Sequence, residues 1–275
     1  MDTIDTAKLP AWVGYILAPN PSVMTGPGTN TFLVSGPPGG CVVIDPGPAI
    51  ESHLATIAAA ATAHGGLNAI LITHGYPDHV EGAARLRSLT GARIYAWSRE
   101  GSPDADESLA DDQTITVAGR ILRALHTPGH RFDHLCFLLE DAGAIFAGDL
   151  VAGTGTVVIA PPEGNLADYM ASLQRLLALD PRLILPAHGP LIEQPRALLE
   201  HYIQHRNERE AQVIAGLAQG PRTVDALVAA IYADVDPALH PVAALSVTAH
   251  LYKLEREGRV ARTTGDSGAE LWELR

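Results

Sequence analysis

The chain has 275 residues and a formal net charge of −12, with 47% apolar and 18% charged residues. That apolar share supports a sizeable core and excludes an intrinsically disordered chain. The acidic balance lacks the general electrostatic footprint of a nucleic-acid or anionic-membrane binder. No apolar stretch is long enough and free enough of polar residues to cross a bilayer. In chain order, the opening MDTIDTAKLPAWVGYILAPNP has acids near its front and no basic or apolar leader region, so a cytoplasmic location is expected. TNTFLVSG and CVVIDPG read as short strands joined by the turn-rich GPPGG. ESHLATIAAAATAHGG reads as an Ala-rich helix closed by Gly. AILIT is a continuous apolar run, the mark of a strand buried on both faces. A helix over EGAARLRSLTG and a strand over ARIYAW follow, then short strands through TITVAG, ILRALHT, HLCFLLE and AIFAGDL. NLADYMASLQRLLALD is an amphipathic helix leading into the strand RLILPAH. Alternation of this kind predicts layered α/β architecture with helices outside the sheets. Cys41 and Cys136 both sit in apolar runs and read as buried free thiols.

From about Arg196 the pattern turns helical, through ALLEHYIQHRNEREAQVIAGLAQG, TVDALVAAIYA and PVAALSVTAHLYKLEREG. The tail RVARTTGDSGAELWELR reads as a hairpin turning at GDSG. Helices followed by a hairpin make a winged-helix-like module, so the expected division is residues 1–195 and 196–275. From Arg206 to Arg275 there are eight Lys and Arg against ten Asp and Glu, which favours a structural or pocket-lining role over DNA reading.

The chemistry-bearing signal is THGYPDH at 73–79, directly after AILIT. Two histidines and an aspartate fall in one turn between a strand and a helix, where a loop can converge them on a metal ion. HTPGH ends on His130, AGDL places Asp149 at a strand end, and LPAHGP does the same for His188. Four strand ends each present His or Asp in Gly- or Pro-rich turns, a placement that ordinary core histidines do not repeat.

The pattern resembles the metallo-β-lactamase superfamily, whose signature is H-x-H-x-D-H followed by a later His, Asp and His. PGTNTFLV, HTPGHRFDHLCFLLEDAGAIFAGDLVAGTGTVVI, LPAHGP and HYIQHRNERE, with the winged-helix-like end, most resemble the beta-lactamase-like protein 2 branch. The resemblance implies an αββα sandwich with metals at one edge. It implies His74 and His130 as ligands of a first metal, and Asp78, His79 and His188 as ligands of a second. It implies Asp149 as the carboxylate that bridges both. The implied chemistry is hydrolysis by a metal-bound hydroxide, with zinc expected as one or two ions and manganese or iron as alternatives. Asp78 is also expected to orient the hydroxide or carry a proton. One position departs: Tyr76 stands where the signature has its second His. That leaves His74, His130 and Asp149 for the first metal, and three outcomes: one metal, in the second site held by Asp78, His79, Asp149 and His188; two metals, with Tyr76 a phenolate ligand or swung aside and replaced by water; or a degenerate site.

Asp45 is expected to hold a ligand loop or merely end a strand, and His134 to line the pocket or serve structure. His126 is not expected to be a ligand, Asn30 reads as a turn cap, and His201 and His205 share a helix face. Three functional readings result. The first is a hydrolase of a small acyl substrate such as an ester, thioester, lactone or amide. The second is a single-stranded RNA phosphodiesterase, with Arg131, Arg206 and Arg209 as candidate contacts. The third is a binding module built on a degenerate metal site.

Overall fold

The computed structural model describes residues 3–37, 39–117, 119–265 and 268–275. Two sheets face each other. The first runs β1 (Val13–Leu17), β2 (Asn30–Ser35), β3 (Cys41–Ile44), β4 (Leu67–Leu71), β5 (Arg93–Ala96) and β6 (Glu107–Ser108) in that order. The second has the order β11 (Leu183–Pro186), β10 (Ala144–Gly148), β9 (Leu135–Leu139), β8 (Arg120–His126), β7 (Thr114–Val117). Alternation along each strand divides the apolar residues into layers. Phe32, Val34, Val42, Ile44 and Leu71 meet Leu122, Phe137, Phe146 and Leu185 between the sheets.

The opposite faces are equally apolar, and helices cover them. Leu33, Val43, Ile70 and Ile94 pack under α1 (Glu51–Ala63) and α3 (Ala83–Thr90). Cys136, Leu138, Ile145 and Ile184 pack under α4 (Leu166–Leu179) and α5 (Pro195–Leu217). The result is the expected αββα sandwich, with both cysteines buried and free. Strands buried on two faces explain why AILIT, HLCFLLE and AIFAGD read as unbroken apolar runs. Local signals set the helix ends. The Asn165 side chain accepts from the Ala167 and Asp168 amides at the start of α4, and Gly91 closes α3 in the left-handed region.

Two features differ from the sequence reading. The opening segment contributes β1, paired antiparallel with β2. The turn expected across THGYPDH already contains a helical turn, α2 (Pro77–Val80), because Pro77 at its first position presets the helical φ.

The C-terminal module packs α6 (Val224–Ile231) and α7 (His240–Arg256) with the hairpin of β12 (Val260–Thr264) and β13 (Glu270–Leu274). Thr223 caps α6 by accepting from the Ala226 amide. The core holds Leu227, Val247, Leu251, Leu254, Val260 and Trp272. Of the expected GDSG turn, Asp266 and Ser267 lie outside the described residues, as does Pro38 of GPPGG. Helix α5 belongs to both halves: Leu199 and Tyr202 pack on the second sheet, while Val213 and Leu217 enter the C-terminal core.

Candidate metal centre

Strand direction explains why the chemistry collects at one edge. β3, β4 and β5 are mutually parallel, β10 is parallel to β11, and β8 shares their direction through antiparallel β9. The loops after β3, β4, β8, β10 and β11 therefore emerge at the same end. Cross-sheet hydrogen bonds fasten that end: the Leu135 amide donates to the Thr73 carbonyl at 2.7 Å and the Asn30 amide to the Ala187 carbonyl at 2.7 Å.

Four imidazoles converge there, and each is fixed from behind through Nδ1. His79 donates to Asp45 Oδ2 at 2.9 Å. His130 donates to the Val158 carbonyl at 2.9 Å and His188 to the Gly28 carbonyl at 3.4 Å. Thr73 Oγ1 donates to Asp45 Oδ2 at 2.7 Å, so its lone pair is left to accept from His74 Nδ1 at 3.0 Å. These partners assign the tautomers and aim the Nε2 lone pairs inward. Nε2 of His74, His79 and His130 is buried and has no hydrogen-bond partner among the described residues.

The carboxylates of Asp149 and Asp78 lie among those nitrogens. Asp149 Oδ2 is 3.6 Å from His79 Nε2 and 3.7 Å from His130 Nε2, and its Oδ1 is 3.4 Å from His188 Nε2. Asp78 Oδ2 is 3.3 Å from His188 Nε2 and 3.5 Å from His79 Nε2. Two donor groups result, His74–His130–Asp149 and Asp78–His79–His188, each with its ligand atoms within 4.8 Å of one another. Orphaned buried imidazole nitrogens beside carboxylates fit a metal of the zinc type, which takes N and O donors.

The electrostatics agree with a site built for positive charge. Burial pulls His79 down, but Asp149 and Asp45 hold it well above the usual imidazole range. Burial also pulls His188 down, but Asp149 and Asp78 overcome it and raise its pKa to about 9. Asp149 is held well below the carboxylate range despite its burial, by His188 and His79. His74 and His130 move the other way, down, chiefly through burial.

Several positioning residues lie outside the motifs. Asp45, at φ 50°, accepts from both the amide and the hydroxyl of Thr73 as well as from His79. His134 accepts the Asp149 amide on Nε2 at 3.0 Å and bonds Thr127 through Nδ1 at 2.9 Å. Burial lowers its pKa to about 3, so it stays neutral. Asp133 accepts the Gly75 amide at 3.0 Å. Asn30 is not the expected turn cap. It is buried, and its Nδ2 donates to the Pro186 and Gly189 carbonyls at 2.9 Å each, framing His188. His126 stacks on Trp97 at 3.6 Å, away from the centre.

Tyr76 packs edge-on against His74 and His130, with ring centroids 5.1 and 5.2 Å away, and the Arg131 guanidinium covers its ring. Burial, and after it the nearby Glu163 carboxylate, raise its pKa. The arginines considered for RNA do not form a channel. Arg131 pairs with Asp133 at 2.8 Å. Arg206 is 4% exposed and donates to the Val157 carbonyl, so it is not available to a phosphate. Arg209 stacks on Tyr232. His201 and His205 have ring centroids 6.4 Å apart on α5.

A sandwich of this topology carrying two His/Asp donor groups at one edge defines a class of metal-centred hydrolases. Comparison with known proteins makes the same assignment. The Metallo-beta-lactamase superfamily model matches residues 24–188, and that of the Beta-lactamase associated winged helix domain matches residues 223–272. Beta-lactamase-like protein 2 homolog of Drosophila melanogaster is 35% identical, the match covering 92% of this chain and 91% of that protein. Lactamase-like protein vrtG of Penicillium aethiopicum is 36% identical over 94% of this chain and 86% of its own length. In structure, a beta-lactamase domain protein from Burkholderia ambifaria superposes with a TM-score of 0.83 at 21% identity, covering 100% of this chain and 95% of its own. The chain belongs to the metallo-β-lactamase superfamily of hydrolases, with its associated winged-helix domain at the C-terminal end. No helix among the described residues is long and apolar enough to cross a membrane.

Proposed function

We propose that the chain is a zinc-dependent hydrolase of small acyl substrates: esters, thioesters, lactones or amides. The observation that carries this reading is the convergence of four back-anchored imidazoles on Asp149 and Asp78. His74, His130 and Asp149 would hold one metal and leave an open position, the ligand count of catalytic zinc. Asp78, His79 and His188, with Asp149 shared, would hold the other and load first because that set has one more donor. The bound metal supplies a Lewis acid and an acidified water. Asp78 accepts the proton of the attacking water and returns it to the leaving oxygen, sulfur or nitrogen as the acyl bond breaks.

Tyr76 in this reading is a wall of the site rather than a ligand. Its ring packs edge-on against His74 and His130 and lies under Arg131. A half-buried phenol whose pKa is raised stays neutral and is a poor donor to a metal. The small cavity at the metals is lined by Val23, Met24, Pro27, Ala152 and Val157 beside His130, Asp149 and His188, a lining that suits an acyl group better than a polyanion. This favours a small-molecule substrate over single-stranded RNA.

The test is metal per chain by elemental mass spectrometry, with and without Tyr76→His, alongside ester and thioester turnover before and after chelation. The expected result is one tightly held zinc, a second on Tyr76→His, and turnover lost to chelator and restored by zinc. No metal after incubation with zinc, manganese and iron would overturn the reading. Salt-dependent RNA retention with RNA cleavage and no ester turnover would transfer it to the phosphodiesterase.

A further inference from the structure

Helix α1 covers the outer face of the first sheet, and its buried residues are His53, Leu54, Ile57 and Ala61. Three of the four are apolar, as packing on a sheet requires. The fourth, His53, is only 4% exposed, and a buried imidazole needs partners. It finds them in the turn that carries Asp45. His53 Nε2 lies 3.2 Å from Thr31 Oγ1, and Thr31 Oγ1 lies 2.7 Å from the Asp45 carbonyl oxygen. A carbonyl only accepts, so the Thr31 proton points at Asp45 and the bond between His53 and Thr31 is donated by Nε2–H. Burial keeps the His53 pKa below the usual imidazole range, so the ring is neutral at pH 7 and Nε2–H is its one donor. Two hydrogen bonds in series thus run from the helix to the turn.

That turn needs holding. Asp45 has φ 50° and Gly47 φ 78°. An aspartate in the left-handed region is strained and persists where its surroundings over-determine it. The Leu71 carbonyl fixes the Asp45 amide at 2.9 Å, and the bonds from His53 through Thr31 fix the Asp45 carbonyl. Gly47 packs against the same ring: a Cβ there would lie 3.2 Å from His53 Nε2. The turn is in addition stitched to the helix that carries two of the metal donors. The Gly47 amide donates to the His79 carbonyl at 3.2 Å, and the Gly82 amide donates to the Gly47 carbonyl at 2.9 Å. His79 is therefore held by this turn twice, at its ring by Asp45 and at its backbone by Gly47.

We propose that His53 is a positioning residue of the metal centre. By donating through Thr31 to the Asp45 carbonyl, it keeps the 45–47 turn in the conformation that aims His79 directly and His74 through Thr73. Its reach extends to both donor groups from a helix on the far side of the sheet. This role concerns how the donor groups are held and is independent of which bond the centre hydrolyses.

The experiment compares variants of the full chain with the natural one. His53→Leu keeps apolar bulk and removes the donor, His53→Gln keeps a donor at the reach of Nε2, and Thr31→Val removes the hydroxyl while keeping its shape. Zinc affinity is read by competition against a chromophoric chelator. Exchange of the Thr73 and Gly47 amides, which bond Asp45 Oδ1 and the His79 carbonyl, is read in the metal-free chain. The expected result is a loss of about fivefold in zinc affinity in His53→Leu and in Thr31→Val, the worth of one neutral hydrogen bond, with faster exchange at both amides. The double variant is expected to lose no more than either single one, because both break the same series of bonds. His53→Gln is expected to restore affinity and protection. Equal loss in His53→Gln and His53→Leu would reduce His53 to packing, and natural affinity in His53→Leu would remove it from the centre; either overturns the proposal. If His53→Leu does not fold, Thr31→Val decides: lost affinity in a folded chain supports the proposal and natural affinity overturns it. If the natural chain binds no metal, the hydrolase reading fails on its own, and exchange still decides the role of His53. Faster exchange in His53→Leu that His53→Gln restores supports it, and unchanged exchange overturns it.

Discussion

Asp45 is the residue on which most of the candidate centre hangs. One carboxylate, in a left-handed conformation after β3, fixes the Thr73 backbone, the Thr73 hydroxyl and the His79 ring. Through Thr73 it also orients His74, so it bears on both donor groups. Partners behind metal ligands are typically worth tenfold to a hundredfold in affinity. Asp45→Ala is expected to weaken zinc binding by about that factor while the fold persists, as read by competition against a chromophoric chelator and by circular dichroism. Unchanged affinity would reduce Asp45 to a turn residue. The donor residues were legible in sequence because each sits in a strand-end motif containing Gly or Pro. The residues that aim them were not. Thr73 and Asp45 are 28 positions apart, Gly75 and Asp133 58, and Asn30 and Pro186 156. Such contacts exist only once two sheets have closed on each other, and no local spacing encodes them.

At the scale of elements, α5 is what holds the segment 152–158 beside the site. Tyr202 and Arg206 lie one turn apart on its buried face. The Tyr202 hydroxyl donates to the Gly155 carbonyl at 2.9 Å and accepts the Ala152 amide at 3.2 Å. Arg206 grips the Val157 carbonyl and lies over the Tyr169 ring. The next carbonyl, of Val158, is the one that orients His130. A buried cation thus reaches the metal centre through two residues of loop. Arg206→Met keeps the length of the side chain and removes its donors. The expected outcome is faster amide exchange across residues 152–158 and a selective loss of affinity at the His74–His130–Asp149 group, with the other group unaffected. Equal loss at both groups would mean general loosening instead. In sequence this stretch reads as helical, and it forms one helix that packs in both halves. The segment VAGTGTVVIAPPEG carries no periodicity, so nothing local announced that its carbonyls would be partners of a helix some 50 residues on. Most strands, by contrast, were readable because burial on both faces forces unbroken apolar runs. β1 was not, because its residues are mostly half-buried and its run is broken by Gly14 and Tyr15.

For the molecule as a whole, the centre couples metal, protons and stability. In the metal-free protein, protons on His79 and His188 supply the positive charge that Asp149, Asp78 and Asp45 demand. Both imidazoles have a folded-state pKa above the unfolded value of 6.5, and that of His188 is about 9. The His188 contribution is therefore fully present below about pH 6.5 and is lost as pH rises through 9, and that of His79 is likewise lost as pH rises above the ordinary imidazole range. Asp149 has the opposite sign: its depressed pKa contributes stability above the ordinary carboxylate range that is lost on strong acidification. A bound metal replaces the imidazole protons, so loading releases them, and affinity climbs with pH. Chelated protein is then expected to melt at progressively lower temperature between pH 6.5 and 9, while zinc-loaded protein holds its midpoint. The measurement is paired thermal melts at fixed zinc activity across that range. A gap between loaded and chelated Tm that widens with pH follows from proton-for-metal exchange at His79 and His188. A constant gap would mean that these imidazoles are already neutral without metal, and that the carboxylates around them are compensated by something other than a proton.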